Sequence, residues 1–289
     1  MQLFAVWPRE ALAAAALVVG LVIGSFLNVV IHRLPRGESL SRPGSHCPAC
    51  GAAVRWYDNV PLLSFLWLRA RCRGCKAPIS WRYPAVELAT GLLFAGIVWR
   101  HGLHPMTPVW CAFAAALLAS AVIDFDHQII PDEISLGGLV LALGLVPLVH
   151  ALGGEPIASA LAWSAGGAGL GGGIFWLVGF VHARVSTAFG RRFEHWPGPG
   201  EVLPRPSSLD YWVWFPGVGF GDVKLLALIG AVLGPIGVLQ TILAASLAGL
   251  VLGGAFALSL RRFGAPFGFG PALAAGALLV LLAPDLLPR

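Results

Sequence analysis

Two aspartates stand at the edges of apolar, membrane-length stretches. Asp124 closes the run Cys111–Ile123 and is followed by Phe-Asp-His-Gln-Ile-Ile-Pro131. Asp222 sits in Gly219-Phe-Gly-Asp-Val-Lys-Leu225. A carboxylate inside a bilayer costs roughly +2.5 to +3.5 kcal/mol on insertion scales. Two of them on separate segments therefore point to chemistry or to ion movement. Like charges brought close cannot both ionise, so such a pair holds a single proton. The ionised member acts as general base on a water, and the protonated one polarises a carbonyl. That is aspartic-protease chemistry. The chain has no H-E-x-x-H and no G-x-S-x-G, the marks of other hydrolase sites.

The neighbouring residues have simpler explanations. Pro131-Asp132-Glu133 reads as a helix start, with proline at the first position and acids in the first turn. Asp126 then lies in a solvated turn, and Asp124 is the acid nearest the membrane. Gly219 and Gly221 let the backbone bend or approach closely beside Asp222. The competing account of Asp222 is a helix N-cap. Lys224, two residues on, cannot face Asp222 on a helix. Gly219, Gly221, Lys224 and Asp126 are taken as supporting residues.

Cys47-Pro-Ala-Cys50 and Cys72-Arg-Gly-Cys75 form two C-x-x-C knuckles 21 residues apart. The spacing is close to that of a four-thiolate zinc site. Four thiolates complete a tetrahedral Zn²⁺, so the metal would be structural. Gly51 and Gly74 are expected to permit the knuckle turns. Two disulfides or a redox pair are the alternatives, and a cytoplasmic loop disfavours disulfides. Cys111 is expected to be an inert residue of an apolar core.

These residues need a membrane scaffold. Of 289 residues, 57% are hydrophobic and 11% charged, and the mean hydropathy is +0.79. The fold class is an all-α polytopic membrane protein with about eight transmembrane helices and a cytoplasmic four-cysteine zinc-binding loop. The spans fall near 11–31, 85–99, 108–123, 134–152, 158–181, 223–236, 238–260 and 270–284, against a usual need of about 20 residues each. Gly234-Pro-Ile-Gly237 breaks the run from Leu225 to Leu260. Sixteen of the 19 Lys and Arg fall on the side of the long loops. That side is therefore cytoplasmic and both termini are outside, which for a bacterial inner membrane is the periplasm. The pI near 9.3 reflects topology and anionic lipid, and nucleic acid is not an expected partner. The first span lacks a cleavage pattern and is not a signal peptide.

Residues 1–107 form an N-terminal part that includes loop 32–84. Residues 108–289 form a six-helix core interrupted by loop 182–218. That second loop is rich in Pro, Gly and Trp and is expected to lack regular structure, lying ordered or at the membrane interface. Gly167-Ala-Gly-Leu-Gly-Gly172 matches a dinucleotide fingerprint by letter. Within an apolar span it reads as small residues that let helices approach closely.

Several motifs in order resemble the bacterial type IV prepilin peptidases, the leader peptidase/N-methyltransferases. They are Gly24-Ser-Phe-Leu-Asn-Val-Val-Ile-His-Arg-Leu-Pro35, the paired C-x-x-C loop, Arg82-Tyr-Pro-Ala-Val-Glu-Leu-Ala-Thr-Gly91, the stretch Asp124 to Asp132, and Gly219-Phe-Gly-Asp222. The resemblance implies an intramembrane aspartic protease with Asp124 and Asp222 as its pair. It implies cleavage of basic leaders from prepilins and type II secretion pseudopilins, after Gly, on the cytoplasmic side of the inner membrane. It also implies N-methylation of the new N-terminus from S-adenosylmethionine, with the N-terminal part tied to methyl transfer. Glu87 and Asn28 are the candidates there. The two aspartates are 98 positions apart, wider than the resemblance leads one to expect, and loop 182–218 is the simplest source of the excess.

A basic leader must meet acids on an otherwise basic face. Asp126, Asp132 and Glu133 lie nearest the proposed pair in sequence and are the expected contacts. Two other function classes compete. A proton-coupled transporter would use the acids as a relay, but both lie at one face and no inverted repeat is visible. A membrane scaffold organised by the zinc loop leaves Gly219-Phe-Gly-Asp222 without a purpose.

Overall fold

The computed structural model describes residues 7–189, 205–213, 219–260 and 268–287, and among them there is no β-strand. The chain divides into two compact units, Met1–His127 and Gln128–Arg289.

The first unit is built on α1 (Arg9–Arg33), α3 (Arg82–His101) and α4 (Thr107–His127), with a short α2 (Leu63–Trp67) in the loop between α1 and α3. Helix α1 runs into a 3₁₀ turn, Leu34–Arg36, and stops at Gly37 with φ +66°. Pro35 cannot continue the α-helical ladder, and glycine takes the left-handed stop. The α1–α3 crossing is close. A Cβ on Gly24 would lie 2.6 Å from Glu87 Cα, so this position of the Gly24–Pro35 motif is held by backbone contact. Helix α4 packs on both α1 and α3.

The second unit holds α5 (Asp132–Leu152), α6 (Ile157–Ala188), α7 (Leu209–Val213), α8 (Phe220–Leu260) and α9 (Gly270–Leu282). Helix α8 packs against α5, α6 and α9. The glycines of the Gly167–Gly172 run serve the packing role expected of them. A Cβ on Gly167 would lie 2.1 Å from the Gly230 carbonyl oxygen, and one on Gly171 2.4 Å from that of Leu226.

Helix α8 is two legs broken at Gly234 (φ 72°, ψ −179°) followed by Pro235, where the break was expected. The break strips ladder donors from the last carbonyls of the first leg. One is recovered from outside: fully buried Ser164 of α6 donates from Oγ to the Ala231 carbonyl at 2.8 Å. Ser164→Ala should leave that acceptor bare within an apolar bundle. A loss of about 1 kcal/mol is expected, checked as a lower midpoint in a detergent unfolding titration.

Five helical segments are long and apolar enough to cross a membrane: Arg9–Arg36, Thr107–His127, Asp132–Leu152, Ile157–Ala188 and Phe220–Ala255. The eight expected spans map onto these five, one of which supplies two, plus two other helices. Phe220–Ala255 contains two legs, α3 has its length interrupted by Arg82, Glu87 and Arg100, and α9 is only 13 residues long.

Part of loop 182–218 lies outside the described residues, including Trp196-Pro-Gly-Pro-Gly200. Where irregular backbone was expected, residues 182–188 continue α6, and the described stretch 205–213 contains a helical turn, α7. Aromatic stacking supplies the reason. Trp212 lies parallel to Phe180 of α6 with ring centroids 5.5 Å apart. Trp176 donates its indole N–H to the Trp212 carbonyl at 2.8 Å. The Arg184 guanidinium lies 4.0 Å from the Tyr211 ring centre. Long-range contacts of this kind have no signature in a local stretch of sequence.

Candidate functional site

Asp124 is in the last turn of α4 in the first unit and is 5% exposed. Full burial of Ile123 and Ser120 beside it shows that this face of α4 turns inward. Asp126, two residues on, ion-pairs through Oδ2 with Arg82 Nη1 at 2.5 Å. The adjacent acids thus differ in setting: Asp124 is packed among core residues, and Asp126 is a partly solvated partner of an arginine.

Asp222 is in the first turn of α8 in the second unit and is half-buried. Gly219 precedes the helix and accepts the Asp222 amide at 3.0 Å, so Asp222 lies inside the helix and does not cap it. The N-terminal dipole favours its carboxylate there. Gly221 lies against Ile130, and a Cβ on it would come within 3.2 Å of the Ile130 Cβ. Lys224 turns away from Asp222, as expected for a two-residue offset, and ion-pairs with Asp132 at the start of α5. Pro131 is the N-cap of α5, one position before the expected first helical site.

Two of the three expected leader contacts also carry ion pairs within the protein. Asp126 and Asp132 are neutralised by Arg82 and Lys224, and among the described residues only Glu133 of the three stands exposed with no ion-pair partner. Both partners are remote in sequence, Lys224 by 92 positions, which hides the pairing from a linear reading.

The four cysteines converge. Their sulfurs all lie within 4.8 Å of one another, and Cys47 Sγ is 3.8 Å from Cys75 Sγ. A tetrahedral Zn²⁺ with Zn–S of ~2.3 Å requires sulfurs ~3.8 Å apart, so the cluster fits a metal. None of the cysteines is in a disulfide. Each knuckle is a small hairpin: the Cys47 amide donates to the Ala52 carbonyl at 2.9 Å and the Cys72 amide to that of Ala77 at 2.8 Å. The amides of Cys75 and Gly74 hold the Cys72 thiol down to about 7. Cys75 receives the Ala77 amide, yet the thiols of Cys50, Cys72 and Cys47 push it up to about 11. Arg73, inside the second knuckle, donates to Asp58 from Nε at 2.8 Å and from Nη2 at 2.6 Å. That bidentate pair holds the Asp58 carboxyl below the usual carboxylate range.

The turn glycines are placed differently from expectation. Gly51 takes positive φ (70°), but the matching position of the second knuckle is Lys76 (φ 62°), and Gly74 is not left-handed. The residue after the second cysteine makes the turn in both knuckles. Lys76→Gly should remove the strain of a left-handed lysine and raise loop stability by about 0.4–1 kcal/mol, read as slower limited proteolysis of loop 32–84.

Glu87 and Asn28 sit together where α1, α3 and the loop meet. Glu87 is 9% exposed, accepts the Leu62 amide on Oε2 at 2.9 Å, and shares a side-chain hydrogen bond with Ser25. Asn28 donates to the carbonyls of Gly24 at 3.3 Å and Tyr83 at 3.1 Å. The structure adds one residue that sequence reasoning counted as an orienting charge and quoted within the Gly24–Pro35 motif without giving it a role. Arg33 is 8% exposed and lines a cleft beside α1. Cys111 is half-buried on α4.

Comparison with known proteins places both units. Residues 18–101 match the bacterial peptidase A24 N-terminal domain, and residues 111–254 match the type IV leader peptidase family. The chain is 38% identical over 248 residues to a prepilin leader peptidase/N-methyltransferase of Myxococcus xanthus, covering 86% of this chain and 64% of that protein. It is 33% identical to proteins of the same name from Stutzerimonas stutzeri, covering 94% and 91%, and Pseudomonas aeruginosa, covering 96% and 93%. No solved structure matches the chain.

Proposed function

Because the chain belongs to the type IV leader peptidase family, we propose that it is a multi-pass inner-membrane aspartic endopeptidase that removes the basic leader of prepilins and pseudopilins. Cleavage follows a Gly on the cytoplasmic side, and both chain termini are periplasmic. The observation that carries the reading is the pair of acids at helix ends, buried Asp124 closing α4 and half-buried Asp222 opening α8. The family match spans both of them.

In the proposed reaction the two carboxyls hold one proton between them. The ionised carboxylate takes a proton from water as it attacks the scissile carbonyl, and the protonated carboxyl donates to the carbonyl oxygen. Gly219 lies beside the Asp222 carboxylate, and Gly221 lets α8 approach Ile130 closely. Lys224–Asp132 and Arg82–Asp126 hold the flanking helix ends. They act as supports.

The Cys47, Cys50, Cys72 and Cys75 cluster holds Zn²⁺ as a closed structural site. Residues 1–107 carry N-methylation of the new amino terminus, with S-adenosylmethionine supplying the methyl group when bound. Glu87 and Asn28 position α1, α3 and the loop for that activity.

The experiment is co-expression with a prepilin, followed by mass measurement of its mature N-terminus. A leader-free product one methyl group heavier than the bare chain supports both activities. An unprocessed prepilin beside folded protein overturns the peptidase, and a processed, unmethylated product overturns the methyltransferase alone.

A further inference from the structure

Arg33 closes α1 and is 8% exposed. Among the described residues its guanidinium donates only to backbone carbonyls, from Nη1 to Ser39 O at 2.9 Å and from Nη2 to Gly44 O at 3.5 Å. No carboxylate of those residues pairs with it, although a buried charge is ordinarily paired. A guanidinium has five donors, so capacity remains for an anion.

Arg33 lines a cleft of about 550 Å³ within the first unit, inside the usual range for small-molecule sites of about 300–1,000 Å³. It carries the only charge in the lining. Ser41, Ser45 and Asn59 of the loop add hydroxyl and amide groups. The α1 wall is apolar, with Val22, Phe26 and Val29. Val22, Phe26, Val29 and Arg33 follow one another at helical spacing and so form one stripe. Val18, four residues before Val22, extends that stripe, and Val18, Val22 and Phe26 are all more than half exposed. The apolar wall is therefore continuous with the open face of a helix able to cross a membrane. The 25 residues of α1 extend about 37 Å, against a hydrocarbon core of about 30 Å. Arg33 then stands at headgroup level, and Phe26 and Val22 stand roughly 10–16 Å deeper, among acyl chains.

This arrangement selects among ligands. A free phosphate would satisfy Arg33 and leave the apolar wall unused. A zwitterionic headgroup would bring an ammonium that no acid in the lining could receive. An anionic phospholipid with an uncharged, hydroxyl-bearing headgroup matches the cation, the polar loop wall and the apolar stripe together. We propose that the cleft binds one such lipid from the leaflet on the loop side. Its phosphate sits on Arg33, its headgroup hydroxyls face Ser41, Ser45 and Asn59, and an acyl chain follows Val29, Phe26 and Val22. The bound lipid ties loop 32–84 to α1. It is held by one buried cation in one cleft, unlike the general attraction of a basic surface to anionic lipid, in which exposed Lys and Arg count alike.

The test is native mass spectrometry of the delipidated full-length protein in detergent, titrated with phosphatidylglycerol or with phosphatidylethanolamine of the same acyl chains. A parallel series measures the thermal midpoint with inorganic phosphate alone. Circular dichroism reports folding of each variant. The wild type should prefer phosphatidylglycerol at least ~10-fold, and Arg33→Gln should weaken that lipid at least ~10-fold and erase the preference. Val29→Trp, which fills the cleft and keeps the arginine, should weaken both lipids. Arg36→Gln removes an exposed cation outside the lining and should cost less than Arg33→Gln. If Arg33→Gln does not fold, Val29→Trp and the wild-type preference decide. Equal binding of the two lipids by the wild type overturns the proposal. Unchanged binding in folded Arg33→Gln, or equal losses in Arg33→Gln and Arg36→Gln, does the same. Stabilisation by inorganic phosphate that depends on Arg33, with no lipid preference, makes the cleft a site for a soluble phosphate and overturns the lipid.

Discussion

Asp222→Asn should abolish leader cleavage, with turnover falling by at least about 10³-fold while the protein stays folded. Loss of general acid–base catalysis is worth roughly 10²–10⁴-fold, and asparagine can neither take a proton from water nor share one with Asp124. Asp124→Asn should do the same. The fold is not at stake in either case, because asparagine matches aspartate in shape. Removing a buried charge from α4 can even ease packing. Asp126→Asn is the control. It removes the ion pair with Arg82 at a partly solvated site, where such pairs contribute about 0–1 kcal/mol, so cleavage should fall only a few-fold. The measurement is the rate of leader removal from a purified prepilin in detergent. An active Asp124→Asn beside a dead Asp126→Asn would move the catalytic role two residues along α4.

The parts of this molecule legible in sequence are those whose chemistry is local. The C-x-x-C knuckles, the break at Gly234-Pro235 and the small-residue face at Gly167–Gly172 each state their structure within a few positions. The all-α membrane fold followed from hydropathy alone. Long-range pairing was not legible. Arg33 was counted as one of sixteen charges that orient the chain, because a linear sequence cannot tell a buried guanidinium from an exposed one. The Asp132–Lys224 ion pair was not foreseen because its partners lie 92 positions apart. The turn residue of the second knuckle was missed because Gly74 is the obvious candidate. The backbone register, set by the Cys72–Ala77 hydrogen bond, puts Lys76 in the left-handed position instead.

Cys72→Ser with Cys75→Ser should take bound zinc from about one per chain to near zero, measured by metal analysis of purified protein. Two thiolates and two hydroxyls no longer satisfy a tetrahedral site made for four sulfurs. The consequence reaches beyond the metal. Loop 32–84 has little apolar core of its own: Phe65 and Cys47 are its buried hydrophobic residues, while Trp56, Leu63, Leu66 and Trp67 are exposed. Metal binding to small sites of this kind is apparent folding free energy of about 10–16 kcal/mol. Without it, the hairpins and the Asp58–Arg73 pair cannot order the segment, so limited proteolysis should cut within 38–80 in the variant and spare the wild type. The Leu62 amide would then leave Glu87. Methyl transfer, which depends on that junction in the proposed scheme, should be lost, while Asp124 and Asp222, outside the loop, keep leader cleavage within a few-fold. Stoichiometric zinc in the double variant would remove the metal assignment. Loss of cleavage and methylation together would mean that the loop also supports the peptidase helices.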